Sequence, residues 1–396
     1  MKCRILMVAY ACGPEGTGEH WLGWGWAREA SRLGEVSLIT TPKFRDSLSS
    51  QAKTLGIQCH FVSPSGPEGW GRKLRWQKDV LRLAKRLHAA TPFDLVHQTT
   101  FHTFRVPFRC VDLNIPAVWG PIAGGESVPP GFYGVLGKSQ WNERARAVFN
   151  RLCLYHPGVQ RSLRKSSQIF VSNRTSLEFF PSRFHAKCRL VPPNASPDPL
   201  TQIPPERPVR TADDPTRLLY VGNCVATRAL PLVLEALRQV GPSCFLKVVG
   251  GGPSLEEWKA QARKLGVETR VEFLGPQAKE RLPDFYHEAD LFVFPALRDS
   301  GGSALLEAMT HGIPVLCFPW GGPAEMVTEE TGFLASLGNP AQTICEIQSV
   351  ITRLRQDPAL GRRKARQAGL WAQDHFSWDR KRGILDQTYR EITLPT

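Results

Sequence analysis

Eight prolines fall within the 26 residues from Val191 to Thr216. Proline has no amide hydrogen and a fixed φ, so this stretch is neither helix nor central strand and reads as a linker or a loop at a domain edge. It divides a chain of 396 residues, which is longer than one ordinary core organises; two domains are the expected count. Charge changes at the same place. Lys and Arg exceed Asp and Glu by 27 to 12, or +15, in residues 1–190, and stand at 23 to 24, or −1, in residues 191–396.

On both sides of the divide, short apolar runs alternate with longer helical patterns. Residues 4–9, 36–40, 59–62, 95–98, 117–119 and 169–172 read as buried strands in the first half, and 217–221, 245–249, 271–273, 291–294 and 315–318 in the second. Apolar strands without polar alternation, separated by helices, imply parallel sheets covered on both faces. Two Rossmann-like α/β domains follow: 1–190, and 217–370 after a linker at 191–216, with a C-terminal helix over 371–396. In open sheets of this kind, ligands bind beyond the carboxyl ends of the strands. Glycine-rich loops stand there: Gly16-Thr-Gly18 after the first strand, then Gly250-Gly-Gly-Pro253, Leu274-Gly-Pro276 and Asp299-Ser-Gly-Gly-Ser303 in the second half. The default site is a cleft faced by both sets of loops.

The segment from Asp299 to Pro314 is the most informative about chemistry. A glycine pair before a helix lets an anion approach bare amides at the positive end of the helix dipole. Glu307, in the early turns of that helix, would then face hydroxyls attached to the anion, as in a sugar nucleotide. A plainer reading makes Asp299 a helix cap and Glu307 a solvated side chain. The ten cysteines include no C-x-x-C and no His at zinc spacing, so reduced, mostly buried thiols are expected. The first ten residues are too short an apolar run for a signal peptide, and no stretch of about 18 apolar residues is free of charge. A soluble, cytoplasmic protein is expected.

In order and spacing, Leu219-Tyr-Val-Gly222, Val248-Val-Gly-Gly-Gly-Pro253, Val271-Glu-Phe-Leu-Gly275, Ala289-Asp-Leu-Phe-Val-Phe-Pro295 and Asp299 to Pro314 resemble the retaining glycosyltransferases of family 4, within the glycosyl transferases group 1. In the first half, Gly16 to Ala27, Asp94 to His97 and Trp119 to Glu126 resemble a narrower branch, and Phe376-Ser-Trp378 with the helix to Tyr389 resembles the family's tail that crosses back to the first domain. The resemblance implies the GT-B architecture of two Rossmann domains with parallel sheets facing an interdomain cleft, and a nucleotide-sugar donor held by the second domain. Glu307 would bond the ribose hydroxyls. The backbone of Gly301, Gly302 and Ser303 would hold diphosphate and hexose, and Asp299, one methylene shorter than the family's glutamate, would touch the transferred sugar. Leu274 and Gly275 would contact the base through main chain, and Gly16 and Gly18 would approach the donor from the other domain.

The family's phosphate-clamping Arg and Lys fall here on Asn223 and Arg228, so one charge is lost and Arg228 keeps the other. The family's first-domain His is replaced by Gly120-Pro121. Glu126 is the remaining catalytic candidate beside Arg228 and Asp299, and His97 reads more readily as structural. The family's chemistry implies front-face attack with retention. No Asp-x-Asp occurs, so neither a metal nor another cofactor is expected. The acceptor would be a glycan or a lipid-linked sugar. Gly69 to His88 holds seven cations among tryptophans and aliphatic residues, the pattern of a basic helix lying on an anionic membrane, and a peripheral position on the inner face of the membrane is expected; a solvated surface helix is the alternative. Nucleic acid is not expected, since no binding motif accompanies the charge. A sugar-nucleotide-binding pseudoenzyme, an epimerase or a phosphorylase of the same fold remains open.

Overall fold

Alternate residues of each apolar run serve opposite faces of a sheet, which is why the runs show no polar alternation. In the computed structural model, which describes residues 3–196 and 214–394, Ile5 and Met7 of the first strand join one hydrophobic cluster while Leu6 and Val8 join another. The described residues form two units, Met1–Gly125 with Ala147–Ala195 and Trp378–Thr396, and Glu126–Arg146 with Ser196–Ser377. The proline-rich segment predicted over 191–216 falls mostly on residues 197–213, which lie outside the described residues.

The first unit is a seven-stranded parallel sheet of β1 (Cys3–Ala9), β2 (Gly34–Thr40), β3 (Gln58–Phe61), β4 (Leu95–Thr100), β5 (Ala117–Ile122), β6 (Gln168–Val171) and β7 (Cys188–Leu190), in the order β3-β2-β1-β4-β5-β6-β7. Its helices are α1 (Glu19–Ser31), α2 (Arg45–Thr54), α3 (Trp70–Ala90), α4 (Gln140–Leu154, its second half), α5 (Pro157–Lys165) and α6 (Arg174–Phe179). The second unit repeats the scheme with β8 (Thr216–Val221), β9 (Cys244–Val249), β10 (Val271–Gly275), β11 (Leu291–Phe294), β12 (Val315–Cys317) and β13 (Phe333–Leu334), in the order β10-β9-β8-β11-β12-β13. Around them lie α7 (Leu230–Gln239), α8 (Leu255–Lys264), α9 (Leu282–Glu288), α10 (Ser303–Thr310), α11 (Pro340–Gln356) and α12 (Pro358–Phe376). Every strand pairing is parallel. Both sheets are doubly wound, with switch points between β1 and β4 and between β8 and β11.

The unit boundaries differ from the expected 1–190 and 217–370. Residues 126–146 belong to the second unit because Val128, Phe132 and Leu136 are buried in the cluster that holds Tyr220, Leu230 and Val233. The helical tail breaks at Ser377, whose extended backbone separates α12 from α13 (Trp378–Thr393). Only α13 joins the first unit, where Trp378, Leu385 and Tyr389 pack with Trp26 and Ala30 of α1. Gly25 makes that packing possible, since a Cβ there would collide with the Trp378 ring. Gly23 is constrained in the same way on the side facing β1, where a Cβ would strike the carbonyl of Ala11.

The basic helix α3 does not present its apolar face to the outside. Trp76, Val80 and Ala84 are fully buried in the first unit's core, with Leu83 and Leu87 packed against it, and the Trp76 indole donates to the Val62 carbonyl at 2.9 Å. The apolar stripe read as membrane-facing is a core stripe from Trp76 onward; Trp70 at the start of α3 is exposed, as are the cations Arg75, Lys78, Arg82, Lys85 and Arg86.

Candidate active site

The loops after β8 and β11 leave the second sheet on either side of its switch point. Close backbone packing shapes the first: a Cβ on Gly250 would collide with the Gly222 carbonyl, and one on Gly252 would stand 2.5 Å from that of Cys224. Tyr220 Oη donates to the carbonyl of Asn223 at 2.8 Å, leaving the Asn223 side chain exposed. A single turn, Ala226–Arg228, ends at Ala229 in the left-handed region before α7 begins. The Leu297 amide donates to the Thr227 carbonyl at 2.9 Å, tying the two loops together.

Across that tie, the Arg228 guanidinium pairs through Nη2 with Asp299 Oδ2 and lies 4.8 Å from the centre of the Phe294 ring. The side chains are 19% and 13% exposed, so the pair is largely shielded from water. Arg228 Nη1 is buried with no hydrogen-bond partner among the described residues. Asp299 Oδ1 accepts the amides of Gly301 and Gly302 at 2.7 and 2.5 Å. Gly302, with φ of 64°, is the N-cap of α10 and supplies no side chain of its own. The plainer reading of Asp299 thus describes its geometry: its carboxylate caps the approach to α10, where an incoming anion would otherwise bind. That placement brings together Arg228, Asp299, Gly301 and Gly302, with Ser303 exposed at the first position of α10.

Glu307 is not a solvated side chain. On the second turn of α10 it accepts from Tyr286 Oη at 3.3 Å, and the Tyr286 ring stacks on His311 at 4.9 Å. Burial raises its pKa above the ordinary carboxylate value, opposed by Lys279 and by the Tyr286 hydroxyl. A buried carboxyl that already accepts one hydroxyl is suited to accept further hydroxyl donors through its other oxygen. Leu274 and Gly275 close β10, and each carbonyl already accepts one bond, from Gln277 Nε2 at 2.8 Å and from the Gly250 amide at 2.9 Å.

Several supports were not read from the sequence. The carbonyl of Asp299 accepts the Gly322 amide at 2.8 Å. A Cβ on Gly322 would stand 2.6 Å from the Gly301 nitrogen, and one on Gly321 would collide with the Asp299 carbonyl. The signal was Trp320-Gly-Gly-Pro323 directly after a strand. Arg298, beside Asp299, is held in a bidentate pair by Glu143 of α4 at 2.9 and 3.0 Å. The Trp320 indole donates to the carbonyl of Ser127 at 2.9 Å.

Glu126, expected in the first domain, opens the 126–146 segment of the second unit; it is fully buried and its carbonyl accepts Arg146 Nη1 at 3.0 Å. In the first unit, Gly16 lies in a turn in which a Cβ would strike His20, and Gly18, with φ of 55°, is the N-cap of α1. Beside them Glu19 accepts the His102 amide at 2.5 Å, linking the loops after β1 and β4. His97 is fully buried, with Nδ1 2.7 Å from Tyr389 Oη and Nε2 2.8 Å from the Gly120 carbonyl. Burial pushes its pKa down to about 4, so it is a neutral structural group at pH 7. A cavity of about 730 Å³ opens at the other edge of the second sheet, among Arg217, Lys247 and Glu272. That is the amino edge of a parallel sheet, away from every glycine loop.

A guanidinium with an unused donor beside a helix N-terminus is suited to an anion, and a buried acid on the same helix to a diol. Comparison with known proteins gives this arrangement a context. The model for "Glycosyl transferases group 1" matches residues 204–367. A D-inositol 3-phosphate glycosyltransferase of Rhodococcus opacus is 30% identical over 190 residues, 45% of this chain and 42% of that one. The alpha-D-kanosaminyltransferase of Streptomyces kanamyceticus is 27% identical over 185 residues, 46% and 47% of the two chains. The matches thus span less than half of those relatives' length. Among solved structures, Anabaena Alr3699/HepE in complex with UDP and glucose aligns with 98% of this chain and 100% of its own at TM-score 0.64 and 16% identity. The lipopolysaccharide outer core galactosyltransferase WaaB aligns with 98% and 99% at TM-score 0.68 and 13% identity. Those likenesses extend over both units and establish the fold. Residues 204–367 thus match the glycosyl transferases group 1 model, and the two parallel α/β units of this chain have the GT-B fold.

Proposed function

We propose that this chain is a retaining glycosyltransferase that moves a hexose from a nucleoside-diphosphate sugar to a hydroxyl of a glycan or lipid-linked acceptor, working in cell-surface polysaccharide or glycolipid synthesis. The observation that carries the reading is the Arg228–Asp299 pair across the β8/β11 switch point, with Arg228 Nη1 unpartnered and α10 beginning just beyond Asp299 at Ser303. The diphosphate would take the unused guanidinium donor and share the α10 N-terminus. Glu307 would accept from the ribose hydroxyls, and Asp299 would meet the sugar while keeping Arg228 in place. The acceptor oxygen attacks the anomeric carbon from the face that the diphosphate leaves. The bond to the diphosphate oxygen breaks, and that oxygen takes the acceptor's proton. The site's contribution is orientation and stabilisation of the departing charge, with Arg228 supplying the cation and no metal required. A peripheral position on an anionic membrane surface accompanies this reading, given the charge of the first half.

The test is transfer from uridine, guanosine and adenosine diphosphate sugars, with Glu307→Ala as control. Transfer that requires Glu307 supports the reading. Donor binding without turnover would point instead to a binding protein, the reading that the lost charge at Asn223 favours.

A further inference from the structure

A second cavity, of about 410 Å³, lies within the first unit, walled by Tyr10, the first turn of α3, the loop after β4, and Phe149 of α4. Three cations, Arg72, Lys73 and Arg105, line it against one carboxylate, Glu68. That carboxylate side chain is 96% exposed and reaches Arg72 only at 3.4 Å, a contact worth little in water. Arg72 Nε is buried without a partner among the described residues. Lys73 Nζ lies 5.3 Å over the Phe101 ring and has no carboxylate within ion-pair distance among those residues. Arg105 Nε is fixed by Asn150 Oδ1 at 2.7 Å, and its carbonyl accepts the Trp70 indole at 3.1 Å. The cavity is therefore positive, and its cations are held in position.

Its rim is apolar. Trp70 meets Phe149 edge-on at 6.4 Å and His156 at 5.8 Å. From Phe149 the last turns of α4 turn outward: Val148, Phe149, Leu152 and Tyr155 are 60%, 44%, 66% and 70% exposed, whereas Cys153 and Leu154 are buried. Val148 and Leu152, four residues apart, share one face of α4 with the exposed cation Arg151 next to it, and Tyr155 follows in the turn directly after the helix. Four large apolar side chains left in water beside a fixed cluster of cations have the chemistry of a bilayer interface, where aromatic and aliphatic groups enter the acyl boundary and cations meet lipid phosphates.

We propose that this surface docks on an anionic phospholipid bilayer, with a lipid phosphate in the Arg72–Lys73–Arg105 cavity and Phe149, Leu152 and Tyr155 in the interface. The proposal rests on the peripheral-membrane component of the functional reading and replaces the apolar face of α3, which the core uses, by the end of α4. Charge complementarity selects the occupant, because the first half carries +15 and the cavity supplies donors suited to phosphate.

The experiment is co-sedimentation of the full chain with vesicles of phosphatidylcholine alone or with about one third phosphatidylglycerol, at low and high salt. No sugar donor is added, so loss of vesicle binding and loss of transfer are separate results. Binding is expected to the anionic vesicles only and to weaken with salt. Phe149→Asp and Leu152→Asp, both at exposed sites that leave the core intact, should each lower it about tenfold. Lys73→Glu should lower it roughly thirtyfold, and Lys85→Glu, about 18 Å further along α3, by much less. Equal loss in Lys73→Glu and Lys85→Glu would reduce the effect to net charge and overturn the site. Absence of anionic-vesicle binding, or wild-type binding by both aspartate variants, would overturn the docking surface.

Discussion

Replacing Arg228 with Ala tests whether that side chain serves the reaction or only the fold. Removing one partner of a buried ion pair costs about 3–5 kcal/mol, because the other charge is left uncompensated. Here two features reduce that cost. Both side chains retain some exposure, and Asp299 Oδ1 keeps the amides of Gly301 and Gly302. About 2 kcal/mol of destabilisation is expected, which lowers Tm by roughly 4–8 °C for a unit of this size. The transfer rate should fall further than that loss explains. Removing a preorganised donor from a developing anion costs about 3–4 kcal/mol, or 10² to 10³ in kcat. Asp299→Asn in the same chain separates the two effects, since the amide oxygen can still cap Gly301 and Gly302 while the stranded charge disappears. The double variant Arg228→Ala/Asp299→Asn should recover most of the lost stability in thermal unfolding and none of the lost rate in initial-velocity assays. If activity returned together with stability, Arg228 would be a structural counter-ion to Asp299, and the assignment of the leaving group to it would be refuted.

Four further outcomes are expected. Glu307 has its pKa raised by burial, so its folded form holds its proton more tightly than the unfolded chain and costs stability as pH rises through the folded value. Glu307→Gln should therefore gain in Tm relative to wild type between about pH 4 and pH 7 while losing nucleoside-diphosphate affinity in calorimetry; a Tm difference that shrinks over that range would reverse the sign argued here. Glu143→Ala releases Arg298 from its bidentate hold and should raise the donor KM several-fold while leaving the far-ultraviolet circular dichroism unchanged. Gly23→Ala drives a methyl against the Ala11 carbonyl and should cost about 1–3 kcal/mol in urea unfolding, because backbone cannot yield as a side chain does. Incubation with excess EDTA should leave the transfer rate unchanged; loss restored by added magnesium would show that Arg228 does not supply the cation alone.

Eleven strands were legible because both faces of each sheet are covered, leaving uninterrupted apolar runs such as Leu291–Phe294. The short edge strands Cys188–Leu190 and Phe333–Leu334 were not, since three and two residues carry no periodicity. The carboxylates at 299 and 307 stood out by spacing, but the partner of Asp299 lies 71 positions earlier, at 228. It becomes a neighbour only because β8 and β11 pair across the switch point. An amphipathic stripe such as that of α3 has the same pattern whether a core or a membrane covers it, and the deciding fact, the packing of Trp76 and Val80, is tertiary. Residues 126–146 were assigned by position in the chain, because Val128 lies in irregular chain and Phe132 and Leu136 in a short 3-10 segment, so no helical period pointed to the core they join.

The passage of residues 126–146 into the second unit has a consequence for how such a chain can be divided. The polypeptide changes unit at 125/126, 146/147, 195/196 and 377/378. A cut at the proline-rich segment therefore yields no self-sufficient half. The C-terminal fragment would lack Val128, Phe132 and Leu136 and expose the core they cover, and the N-terminal fragment would lack α13 and leave Gly25 and Trp26 of α1 without the Trp378 ring they pack against. Exchange of donor specificity between relatives by joining halves at the proline-rich segment should give insoluble chimaeras unless residues 126–146 and the α13 contacts travel with the units they complete.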